Sequence, residues 1–155
     1  MNKGDLFYIA SSLGRAEEVA ALCAVLEKRG LRPTYKWWLH GSVHKLGAER
    51  IAEVAAAEIS GVINADTVIV LLPGGRGTHV ELGVAIGTYV AAHESPASGP
   101  YPTEIIVVGD TFMGKSTECA FYYHPLVRRI ASVELLLAEV PHVDGCDCAT
   151  CTVAA

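Results

Sequence analysis

The residues best suited to chemistry lie in one run, Pro73-Gly74-Gly75-Arg76-Gly77-Thr78-His79-Val80-Glu81. Three of the four positions from Gly74 to Gly77 are glycine, the residue that reaches backbone conformations closed to others and lets a ligand approach the main chain. The run follows a strand-like stretch and enters a helical one. A helix start presents unpaired N–H groups and a positive dipole end, so Gly74, Gly75, Gly77 and Thr78 are candidate ligands for an anion, most simply a phosphate. Glu81 adds a carboxylate in the first helical turn, aimed at the same space. It has a competing reading, because Thr78-His79-Val80-Glu81 fits the S/T-x-x-E capping box, in which the glutamate only satisfies a backbone N–H. A plain strand-to-helix turn does not need so many glycines, which favours the functional reading.

A second carboxylate belongs to the same space. The segment from about Ala48 to Asn64 has helical periodicity, with Ile51, Val54, Ala55, Ile59 and Val62 on one face. Glu58 follows Ile51 by seven residues and sits about 20° from it around the helix. On that inward stripe an unpaired carboxyl has a raised pKa and suits a proton donor or a hydrogen-bond partner; with a different helix phase it is a surface residue. Tyr8, in the first strand, reads as a core aromatic whose hydroxyl needs a partner near the sheet end. Ser11 and Ser12 either cap the next helix or receive a phosphate. Trp37 and Trp38 are divided between core and a stacking surface for an aromatic base. Trp38 and His40 open a loop-like segment, Trp38 to Gly47, able to cover the carboxyl end of a sheet. As catalysts, His40, His44, His79 and His124 are weak candidates, better read as structural or solvated.

The elements that must carry these residues alternate. Strands are expected at Leu6 to Ala10, about Arg32 to Trp37, Val68 to Leu72, Glu104 to Val108 and Val127 to Ala131. Helices are expected at about Ala16 to Arg29 with Gly30 as the C-terminal cap, at Ala48 to Asn64, from the glycine turn to about Ala92, and from Ser132 to about Val140. Val68 to Leu72 has no polar alternation, the mark of a strand covered on both faces. The pattern predicts a single-domain α/β fold: an open, doubly wound sheet of about five parallel strands flanked by helices. Ligands of such sheets bind beyond the carboxyl ends of the strands, where Ser11, Trp38 and Gly74 arrive.

At 155 residues one domain is expected, over residues 1–141, with a Cys-rich tail over 142–155. Apolar residues make up 51% of the chain and mean hydropathy is +0.33, yet no run reaches the ~18 apolar residues of a membrane span. A net charge of −5 without a Lys/Arg cluster argues against nucleic acid as a partner. MNKGDLFYIA enters a strand with no signal-type apolar region, which gives a cytoplasmic expectation. The five cysteines, Cys23, Cys119, Cys146, Cys148 and Cys151, do not make a disulfide framework. His142 with Cys146, Cys148 and Cys151 offers zinc-type ligands, but the spacing lacks paired C-x-x-C knuckles. No metal and no cofactor is assigned, and the tail is read as flexible.

With FYIASS, EISGVINADTVIVLL and GTHVELGVAIG in view, the chain resembles, from roughly Leu6 to Gly87, the nucleoside 2-deoxyribosyltransferase family, including its nucleoside monophosphate N-glycosidases. The resemblance implies that Glu81 is the nucleophile, that Tyr8 orients it, and that Ser12 contacts a phosphate. Glu58 stands where that family usually has an aspartate hydrogen-bonding the departing base; the carboxylate is kept on a longer arm. The family works as dimers or larger assemblies in which a neighbour helps close the site, a part that would fall to Tyr122 and Tyr123 of FYYHP. PGGRGTHVE also resembles the P-G-G-x-G-T-x-x-E signature of cytokinin-activating phosphoribohydrolases. Those chains usually carry another glycine-rich segment upstream, where this one has isolated glycines, so this resemblance ranks second. Both imply cleavage at C1′ of a nucleoside or nucleotide, without a cofactor, the sugar passing to water or another base. A nucleotide-binding module without catalysis is the alternative.

Overall fold

The computed structural model describes residues 1–2, 4–43, 45, 47–94, 101–109 and 119–142. Among these, β1 (Leu6–Ala10), β2 (Arg32–Pro33), β3 (Thr67–Leu71), β4 (Glu104–Val108) and β5 (Val127–Ile130) form one five-stranded sheet in the order β2-β1-β3-β4-β5. All pairings are parallel, with Tyr8 opposite Val68 and Ile69 opposite Ile106. Helices α1 (Ala16–Lys28), α2 (Ala48–Ile63), α3 (Arg76–Glu94) and α4 (Val133–Glu139) flank it. The expected doubly wound α/β architecture is present, with the flavodoxin-like strand order of Rossmann-like folds.

That order reverses direction once. The chain runs outward from β1 to β2, then returns past β1 to β3, and the carboxyl ends of β1 and β3 therefore flank a crevice at the switch point. The loop after β1 carries Ser11 and Ser12, and the turn after β3 carries Pro73 to Thr78. All five β3 residues are buried, as a strand with covered faces requires.

α1 buries the stripe Val19, Leu22, Cys23 and Leu26, then stops as its sequence directs. Gly30 has φ +86°, and the N–H groups of Leu31 and Gly30 donate to Leu26 O at 3.1 Å and Glu27 O at 2.9 Å, a Schellman pair. Just before it, Arg29 is 1% exposed; its guanidinium donates to Leu137 O and to Val140 O, the latter at 2.9 Å, and ties the end of α1 to the end of α4.

Two expectations are corrected. The second strand ends at Pro33 instead of reaching Trp37. Thr34 N–H still donates to Phe7 O at 2.9 Å, but the chain then turns into a 3-10 helix, Trp37–Leu39. Its Trp37 indole N–H is buried and donates to Ile9 O at 2.7 Å. Satisfying that buried donor takes precedence over lengthening an edge strand. On α2 the buried stripe is narrower than the apolar pattern: Val54, Gly61 and Val62 are buried, whereas Ile51 is 38% exposed and Ala55 is exposed.

Among the described residues no helix is long and apolar enough to cross a membrane, and no cluster of three or more His, Cys, Asp or Glu is placed to hold a metal. His142 is exposed; Cys146, Cys148, Cys151 and His44 lie outside the described residues.

Candidate active site

The site is built outward from Tyr8. Side chains alternate along β1, so Tyr8 faces away from Phe7 and Ile9 and toward α2 and α3, which pack on one another. The Tyr8 ring lies against Gly61 of α2, where a Cβ would come within 2.9 Å of Tyr8 Cε2 and 2.9 Å of Tyr35 Cβ. The Tyr8 hydroxyl donates to Glu81 Oε1. Both side chains are buried, Glu81 to 6% exposure. Burial pushes the Glu81 carboxyl up to about 7; the Tyr8 hydrogen bond pulls the other way, and the nearby Glu58 charge adds to the rise. Burial and the Glu81 charge also hold the Tyr8 hydroxyl far above its usual range, so it remains a donor.

Glu81 therefore does not cap its helix. α3 begins at Arg76, and its first turn closes from His79 N–H to Gly75 O at 3.4 Å, which makes Gly75 the capping position. Thr78 Oγ1 accepts from Gly75 N–H at 2.9 Å, the reach-back that a capping-box glutamate would make. Glu81 is a turn deeper and is held by Tyr8. The N–H groups of Arg76, Gly77 and Thr78 have no intrahelical acceptor at such a start.

The turn's glycines serve space rather than conformation. Gly74, Gly75 and Gly77 all avoid positive φ; among the described residues positive φ occurs at Gly4, Gly30, Gly41 and Gly109. At Gly74 a Cβ would stand 2.8 Å from Thr78 Cγ2, and at Gly75 it would lie 3.7 Å from Ser12 Cβ. At Gly77 it would meet nothing within 4 Å, pointing to room left for something outside the chain.

A cavity of about 210 Å³ lies at this crevice, walled by Glu81, Thr78 and Gly77 of α3, by Ser11, by Glu58 of α2 and by His40, with Leu13 and Val43 also on its wall. Glu58 is half-buried on the cavity side, so the inward phase of α2 holds at this residue. Burial raises its carboxyl, and His40 opposes that rise. His40 Nε2 lies 3.7 Å from Glu58 Oε1 and is buried without a hydrogen-bond partner. Its Nδ1 is 2.9 Å from Gly41 O; a carbonyl can only accept, so Nδ1 carries a proton and a neutral ring presents Nε2 as a lone pair. Ser11 Oγ donates to Leu71 O at 2.8 Å, fixing the loop after β1 to the end of β3.

Other residues named from sequence stand elsewhere. Ser12 lies over Gly75 and does not cap the following turn with its hydroxyl. Trp37, not Trp38, borders the cavity; Trp38 meets the Trp37 ring edge-on at 5.9 Å. Tyr122 is 3% exposed, and its hydroxyl lies 2.7 Å from His79 Nε2. His79 Nδ1 in turn donates to Gly75 O at 2.7 Å, so Tyr122 and His79 brace the glycine turn from behind. Tyr123 carries the Arg129 guanidinium at 4.8 Å over its ring. Neither tyrosine lines the cavity. His79 is structural, as expected from sequence, whereas sequence reasoning missed the part played by Gly61. Gly61 had a signal, since a glycine inside a helix is unfavourable by ~1 kcal/mol relative to Ala and implies a packing reason.

No protein-family model matches the chain, and no curated protein matches it. Fold and site together define a doubly wound α/β protein with two carboxylates, on α2 and α3, meeting in the crevice of its switch point.

Proposed function

We propose that this protein cleaves the N-glycosidic bond of a (deoxy)nucleoside or nucleoside 5′-monophosphate and passes the sugar to water or to another base. The observation that carries this reading is the buried Tyr8–Glu81 hydrogen bond on the wall of a cavity that Glu58 also lines. Cleavage at an anomeric carbon needs stabilisation of oxocarbenium-like charge and a proton for the leaving nitrogen. Ionised Glu81 attacks C1′ while Tyr8 holds its other lone pairs in place, and the C1′–N electron pair leaves with the base. Glu58, whose carboxyl is raised by burial, delivers a proton to that nitrogen. Water or a second base then attacks C1′, gives its proton to Glu58 and releases Glu81.

The cavity of about 210 Å³ is below the ~300–1,000 Å³ of sites that enclose a drug-sized ligand. It suits the sugar, with the base extending past Leu13 and Val43. The unpaired N–H groups at the start of α3 suit a sugar hydroxyl or a 5′-phosphate. The resemblance to the nucleoside 2-deoxyribosyltransferase family also supports a homodimer or larger assembly, which sedimentation tests. Incubation with nucleosides and 5′-monophosphates of both sugars, with and without free acceptor base, is read by chromatography of released and exchanged bases. Base release that Glu81→Gln abolishes supports the proposal. Wild-type rates in Glu81→Gln overturn it, and tight nucleotide binding with unchanged ligand points to a binding module.

A further inference from the structure

We infer that Gly61 is a positioning residue that sets the separation of the two carboxylates; this rests on the function proposed above. Glu58 and Gly61 are three residues apart on α2 and share a helix face. At Gly61 the α2 backbone meets the Tyr8 ring with no side chain between, and Tyr8 holds Glu81. The distance from the Glu58 helix to the Glu81 carboxylate thus runs through one contact.

That contact has little room to give. A Cβ at Gly61 would be 2.9 Å from Tyr35 Cβ, an atom fixed to the backbone, and 2.9 and 3.0 Å from Tyr8 Cε2 and Cδ2. Ordinary contact begins at 3.4 Å, so α2 or the Tyr8 ring must shift by about half an ångström. Turning the Tyr8 ring aside would leave the clash with Tyr35 Cβ and pull on the bond to Glu81, so α2 is the side that yields, stretching the hydrogen bond from the Thr34 hydroxyl to Gly61 O, 2.8 Å in the native chain. Tyr35 links the same point to the other carboxylate arm, because its ring centroid is 6.1 Å from that of His40, which faces Glu58. Helix propensity alone favours alanine at this position. A glycine in the last turn of α2 therefore reflects the approach to Tyr8.

Displacing α2 acts mainly on the leaving base, since Glu58 rides on α2 while Glu81 does not. The test is single-turnover base release by wild type and Gly61→Ala, using the best natural 2′-deoxynucleoside and an analogue whose base departs with little need of a proton. That analogue is the N7-methyl derivative of a purine or the 5-fluoro derivative of a pyrimidine. The expected result is a loss of about tenfold or more on the natural nucleoside, since misplacement by ~1 Å can remove 10²-fold, and of threefold or less on the analogue. Thr34→Val, which removes the hydroxyl that holds Gly61 O and leaves both carboxylates and the glycine in place, gives a smaller split of the same sign and carries the test should Gly61→Ala not fold. Equal losses on both substrates, or no loss with a raised Tm, overturn the inference and leave the proposed function standing. Absence of base release by the wild type overturns both.

Discussion

Tyr8 at the switch point of the sheet donates its hydroxyl hydrogen to Glu81 of α3, and this bond works against the burial that favours the protonated carboxyl. Burial raises Glu81 to about 7 even with the Tyr8 bond pulling down. Removing the hydroxyl leaves burial unopposed. On the proposed mechanism Glu81 must be ionised to attack, so Tyr8→Phe moves the acid limb of kcat/KM above that of the wild type, whose carboxyl is raised to about 7. The attacking carboxylate is then scarcer in the variant at any pH on that limb. The variant loses more at pH 6 than at pH 9, by roughly tenfold for each whole pH step that the limb moves. A pH–rate profile with an unmoved acid limb would refute this role of Tyr8.

The raised carboxyl also appears in stability. The folded-state pKa of Glu81, about 7, exceeds its ordinary value of 4.5, so the native state binds this proton more tightly than the unfolded chain. The contribution is fully present below pH 4.5 and is lost as pH rises through 7. At pH 8 and above, wild-type protein holds an ionised, buried carboxylate at a penalty on the order of 3 kcal/mol. Glu81→Gln removes it. The expected outcome is similar stability of variant and wild type at pH 4.5, and a variant more stable by up to that amount at pH 8. Denaturant titrations at the two pH values check it; a stability difference that does not change with pH contradicts the burial argument.

Fold and site were legible to different depths. Apolar runs and helical periodicity carried the strand count, the parallel sheet and the stop at Gly30, because burial on both faces and helix termination are written in single residues. Tyr8, Glu58 and Glu81 were named from sequence, and they do converge. Of the two reasons given for the glycine turn, unusual backbone conformation is not met: its glycines keep negative φ and leave room for Thr78, Ser12 and the cavity. Close approach between chain segments has no local pattern. The same holds for Gly61 against Tyr8 and for His79 against Tyr122, contacts between residues 53 and 43 positions apart. The second strand failed for a related reason, since the buried acceptor for Trp37 lies on β1, 28 residues upstream.

The glycine turn gives a pair of substitutions with opposite outcomes. Gly74→Ala places a methyl 2.8 Å from Thr78 Cγ2, a buried side chain that is 1% exposed and holds Gly75 N–H. Overpacking of this kind destabilises by about 1–3 kcal/mol. Gly77→Ala meets no atom within 4 Å and gains helix propensity, so stability is unchanged or higher by up to ~1 kcal/mol. Its methyl enters space at the cavity wall, and nucleoside binding weakens. Thermal melts and calorimetric titration of the two variants separate these effects. Tight nucleoside binding by Gly77→Ala would show that the open space is not the ligand's.

Glu58→Gln separates the roles of the two carboxylates in one pH–rate profile. On the proposed mechanism Glu58 carries its proton while ionised Glu81 attacks, so the substitution removes a neutral donor and leaves the acid limb, set by Glu81, in place. It deletes the group proposed to protonate the leaving base, and general-acid loss typically removes 10²–10⁴ in rate. The plateau therefore drops by about that factor with its acid edge unmoved, whereas Tyr8→Phe moves the edge. Substrates whose base leaves without a proton recover most of the plateau in Glu58→Gln and none of it in Glu81→Gln. An acid limb that moves to lower pH would mean that Glu58 is ionised in the reacting enzyme and is not the general acid.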